Sequence, residues 1–191
     1  MTTATAPDRT EAAEYYFTYI EKVPGGDIRG ILKAQLPETV TMLKGISEDR
    51  SLHRYAPDKW SIRQVVSHLN DTERMFVFRA LWFARGFDSP LPSFDQNVAI
   101  TTADADARSL ESHIEEFRGV RAATIAFFDN LPEHAWMRRG IASDNPVKTS
   151  AQLSPIATSR HWARQSGKRW LMVGQSLRSG GSTCCTRGSG S

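Results

Sequence analysis

Apolar residues recur at helical spacing in three long stretches of the chain. The first follows Asp27, a residue able to cap a helix, and carries Ile28, Ile31, Leu32, Leu36, Val40, Leu43 and Ile46. That is the rhythm of a helix burying one face. Pro37 interrupts it; a proline inside a helix removes a backbone donor and crowds the preceding turn, so a kink or restart is expected there. The second stretch runs from Ser61 to Arg85 and places Ile62, Val65, Val66, Leu69 and Phe76 on one stripe. Its later half, MFVFRALWFA, is apolar nearly all round, which predicts cover on more than one side, by other helices or by a partner subunit. The third, about Ala105 to Asn130, carries Leu110, Ile114, Phe117, Val120, Ile125 and Phe128 and ends before Pro132.

The second helix is specified at both ends. Ser61 and Gln64 have the spacing of a capping box, and Trp60 and Val65 flank it as a hydrophobic staple. Gly86 supplies the residue that tolerates a left-handed C-terminal cap. Between the helices, 47–60, 87–102 and 132–147 read as loops. A shorter helix is expected over Thr10–Val23, stopped by Pro24-Gly25-Gly26, with residues 1–9 disordered. No strand shows an alternating pattern. The expected architecture is all-α: a bundle over residues 10–165 and a disordered Ser/Gly-rich tail over 166–191.

Charge changes this picture at one place. The net charge of +3 comes from 24 basic and 21 acidic residues, but from Asn145 onward there are seven basic residues and no acidic one. Removing those seven leaves 17 basic against 21 acidic residues in 1–144, a net of −4. Nucleic-acid binding would rest on the tail alone, without interleaved aromatics beyond Trp162 and Trp170, so no specific nucleic-acid partner is expected. Cys184 and Cys185 are adjacent, which excludes a structural disulfide framework. No apolar run approaches the roughly 20 residues of a membrane span, and the first residues lack a signal peptide's apolar core. The expectation is a cytoplasmic protein.

The run YAPDKWSIRQVVSHLNDTERMFVFRALWFARG, followed by LPSFDQN, EFRGVRAATIAFFDNLPEHAW and RRGIASDNPV, resembles the DinB-like superfamily of damage-inducible proteins regarded as metalloenzymes. The resemblance spans about residues 15–147. It implies a four-helix bundle, often a homodimer, holding a divalent metal ion (zinc, nickel or similar) through three histidines. It further implies a small-molecule or thiol substrate for a metal-dependent transferase or hydrolase.

Carried over by position, the first ligand is His68, in S-H-L-x-D-x-E. The other two histidines of the family lie one turn apart on the fourth helix, where i and i+4 side chains share a face and can bite one ion. Here that region reads IATSRHWARQ: His161 stands with Gln165 one turn on, so the site is incomplete and the fourth helix degraded. One hypothesis, an altered reading frame near Val147, would account together for the lost acids, the lost apolar periodicity and the missing histidine. The alternative function is a non-catalytic, oligomeric, stress-related helical module that has lost metal binding.

On a helical wheel His68 falls at the edge of the apolar stripe with Thr72, Met75 and Arg79. Asp71 points away from the stripe, toward solvent. Glu73 falls on it and is expected to pair with an arginine inside the bundle, Arg79 or Arg85 being the candidates; neither acid is assigned a catalytic role. His53, His113 and His134 read as surface residues.

Overall fold

Each long helix begins at a side chain that satisfies its first free amides. Asp27 accepts from the Arg29 N–H and opens helix α1 (Ile28–Lys44). Ser47 does the same for the short α2 (Glu48–Ser51). The Ser61–Gln64 capping box forms in both directions and starts α3 (Ile62–Ala84). After α3 the chain turns at Gly86, whose φ of 82° is the left-handed geometry that a glycine takes freely. Ser109 caps α5 (Leu110–Asp129) through the Ser112 N–H. The computed structural model describes residues 17, 21 and 27–149.

Two clusters of buried side chains fix the topology. At one end the start of α1 (Ile28, Leu32) meets the end of α3 (Phe76, Ala80, Ala84) and the end of α5 (Phe128). At the other, the end of α1 (Val40, Leu43) meets the starts of α3 (Ile62, Val65, Val66) and α5 (Leu110, Ile114, Phe117). So α3 and α5 run in the same direction, with α1 antiparallel to both. Parallel neighbours cannot be joined by a tight turn, and residues 85–109 make the crossing. A third, smaller cluster joins Phe17, Phe83, Ala142 and Val147.

The structure corrects four details of the sequence reading. α1 continues from Ile28 to Lys44 through Pro37 without a restart, because residues on both sides of the proline (Leu32, Val40) are anchored in the core. The crossing stretch holds a helix, α4 (Gln96–Thr102), capped by Asp95, which accepts from the Asn97 and Val98 N–H groups. Residues 105–107 form a separate 3₁₀ turn, so α5 begins five residues later than expected, at Leu110.

The fourth correction is a β-hairpin. After the short α6 (Glu133–Trp136), β1 (Arg139–Ala142) pairs antiparallel with β2 (Asn145–Lys148), and Ala142 forms a parallel bridge to Leu91 of the crossing segment. The tip residues Ser143 and Asp144 have φ of 52° and 60°, both in the left-handed region that two-residue hairpin turns require. Strands of four residues containing Gly140 and Pro146 carry too little pattern to be seen in the sequence. The expected disordered N-terminus, the Thr10–Val23 helix apart from Phe17 and Glu21, the fourth helix and the tail lie outside the described residues. Among the described residues, no helix is long and apolar enough to cross a membrane.

Candidate metal site

His68 occupies the second turn of α3, placed there by the capping box beneath it. Trp60, just before the helix, tilts over the imidazole with ring centroids 5.0 Å apart. Thr72, one turn on, brings its hydroxyl to 3.3 Å from Nδ1. The ring is half-buried, and burial, which disfavours the charged form, pushes its pKa down to about 4. At neutral pH His68 is therefore an uncharged imidazole, the form that donates to a metal ion.

The described residues do not complete a donor set around it. No group of three His, Cys, Asp or Glu side chains that could hold a metal ion occurs among them. His161, the second ligand expected from the sequence, lies outside the described residues. His68 thus has the chemistry of one ligand, and a metal site built on the described residues alone would lack the rest.

The carboxylates near His68 are engaged elsewhere. Glu73 is buried and gripped by Arg121, with Arg121 Nε 2.8 Å and Nη2 2.9 Å from its oxygens. The expected internal partner exists, but it is Arg121 of α5 rather than Arg79 or Arg85. Arg85 is exposed at the C-cap of α3. Asp71 is half-buried rather than solvated; desolvation raises its pKa, against the opposing charge of Arg74. Arg74 also pairs with Glu116 across the α3–α5 seam, and Arg108 reaches the other oxygen of Glu116 at 2.7 Å.

His113 is corrected outright. It is fully buried, and its Nε2 lies 2.9 Å from the Ala105 carbonyl, tying α5 to the 3₁₀ turn. Desolvation lowers its pKa. Among the described residues, its Nδ1 and the Oδ1 of the equally buried Asn70 have no hydrogen-bond partner. The signal was present in the sequence: His113 stands three residues after Leu110 and four before Phe117, on the buried face. His53 and His134 are exposed, as expected.

Comparison with known proteins places this geometry. The chain is similar in structure to YfiT from Bacillus subtilis, a probable metal-dependent hydrolase with an unusual four-helix bundle topology. The TM-score is 0.63 at 14% identity, over 90% of this chain and 92% of that one. It is also similar to a mycothiol-dependent maleylpyruvate isomerase, with a TM-score of 0.59 at 12% identity over 69% of this chain; it spans 55% of that enzyme's length. At these identities the likeness shows a shared fold, the DinB-like four-helix bundle. No curated protein matches the chain in sequence. The sequence profile of the DinB superfamily matches residues 31–165, well over half of the chain, and the chain belongs to that superfamily.

Proposed function

We propose that this protein is a DinB-type divalent-metal-binding protein, acting as a transferase or hydrolase on a small molecule or thiol, with His68 as the anchoring ligand. The observation that carries the reading is the state of His68: an imidazole held neutral by burial, at the position that the superfamily resemblance gives to a ligand. Two structural neighbours support it, one described as a probable metal-dependent hydrolase and one as a mycothiol-dependent isomerase. His161 is the second donor in this reading. One or two imidazoles leave the remaining coordination positions to water and substrate.

The test is metal content. Purified full-length protein, dialysed against a mixture of zinc and nickel, should retain a stoichiometric ion. His68→Ala should abolish retention and His161→Ala should weaken it, while His134→Ala should leave it unchanged. A parent protein that retains no metal overturns the reading. A second reading, a helical module without metal, is favoured by one observation in the sequence, Gln165 standing one turn after His161 where the family has a histidine. That result would select it.

A further inference from the structure

Arg79 carries a positive charge into the junction of α3, the crossing segment and the hairpin. It is 4% exposed. Its Nη2 donates to the Pro92 carbonyl at 2.8 Å and to the Ser143 hydroxyl at 3.0 Å. The Phe76 ring lies against one side, with the guanidinium carbon 6.0 Å from the ring centroid. A guanidinium has five N–H donors, so those on Nε and Nη1 are uncommitted among the described residues.

No carboxylate among the described residues pairs with this cation, since Glu73 of the same helix is already held by Arg121. Buried charges are ordinarily paired, because neutral acceptors only partly replace the hydration that a guanidinium loses. A tie between α3 and two loops needs donors but not a charge. Ser143 accepts from Arg79, which leaves its own hydroxyl proton to give. Pro92 is exposed and Ser143 half-buried, so the uncommitted donors lie close to the surface.

We propose that Arg79 and Ser143 form an anion niche that receives the carboxylate of a small organic ligand. One guanidinium balances one negative charge. A carboxylate closes that balance, whereas a phosphate dianion would leave excess charge in a partly desolvated site. Arg79 follows His68 by eleven residues, which returns it to within about 20° of the same helix face and about 16 Å further along. The niche is therefore separate from His68 and does not depend on a metal there.

The test is a titration of full-length, ¹⁵N-labelled protein, stripped of metal with EDTA that is then dialysed away, with acetate and with chloride replacing acetate at constant ionic strength. The readout is the Arg79 Nε–H resonance, assigned by its loss in Arg79→Lys. It should move saturably with acetate and stay in place with chloride. Ser143→Ala should weaken binding ~5-fold, the effect of one hydrogen bond. A resonance that does not move, or that drifts alike with both salts, overturns the niche. Tighter binding of inorganic phosphate than of acetate overturns the assignment to a carboxylate. Because the titrated protein is metal-free, a protein that fails to retain metal leaves this outcome untouched, and the two proposals fail separately.

Discussion

Arg121 grips both oxygens of Glu73 with two nitrogens, and the two side chains are 1% and 2% exposed. Gln35 of α1 joins them, its Oε1 accepting from Arg121 Nη1 at 3.2 Å, and the guanidinium lies 5.1 Å from the Phe117 ring. The three polar residues thus bridge all three long helices, between the two apolar clusters that close the ends of the bundle. A layer of this kind selects one register of α1 against α3 and α5, because a shift by one turn would bury both charges unpaired.

Removing one partner of such a pair leaves an uncompensated charge in the core. Glu73→Gln and Arg121→Met should each cost ~3–5 kcal/mol, measured by urea unfolding. The double variant Glu73→Leu/Arg121→Met should cost less than either single change, since no charge is then left alone. Single variants as stable as the parent protein would mean that the pair contributes nothing to the folded state.

His68 makes stability fall as the solution is acidified. Its folded pKa is about 4 against an ordinary 6.5, so the unfolded chain binds the proton more readily between those values. Stability is then full above pH ~6.5 and declines toward pH ~4, by an upper bound of about 3 kcal/mol. His113, also shifted downward by burial, acts in the same direction. His68→Phe should flatten the stability profile between pH 6.5 and 4, read from thermal melts across that range. An unchanged slope would place the imidazole in solvent.

Ser61 serves two structures at once. Its hydroxyl accepts from the Gln64 N–H at 3.0 Å and donates to the carboxylate of Asp106, joining the start of α3 to the 3₁₀ turn. Ser61→Ala should cost ~1–2 kcal/mol, the upper part of the range for losing a cap, because Asp106 loses a partner as well. Ser61→Thr should recover most of it. Chemical denaturation with both variants checks the order.

What the sequence could disclose followed from how local each signal is. The capping box, Gly86 and the apolar stripes involve residues within a turn or two of each other, and all appear as expected. Glu73 could be assigned to the interior from its place on the stripe. Its partner Arg121 is 48 residues away, and nothing along one helix distinguishes it from Arg79. His113 reads as a surface residue because a histidine on a helix counts as polar, although its spacing from Leu110 and Phe117 places it in the core. At the candidate site the sequence located His68 but not what holds it, since the Trp60 ring and Thr72 hydroxyl meet it only in the folded bundle.

Gly140 shows why the hairpin escaped detection and how to test its packing. A Cβ built there would lie 2.0 Å from Phe83 Cδ1 and 2.1 Å from Cε1, far inside any allowed contact. Phe83 is fully buried and held by Ala142, Val147 and Phe17, so its ring has no open space to enter. The glycine that weakens the strand signal is the residue that lets the strand lie flat on the aromatic ring. Gly140→Ala should therefore destabilise by ~1–3 kcal/mol, the range for overpacking, even though alanine is ordinarily the better strand residue. Phe83→Leu on its own removes ring atoms from a sealed position and should also be destabilising. Combined, the two changes should cost less than the sum of the single effects, because the smaller side chain makes room for the methyl group. Additive costs in thermal unfolding would show that the strand and the ring do not touch.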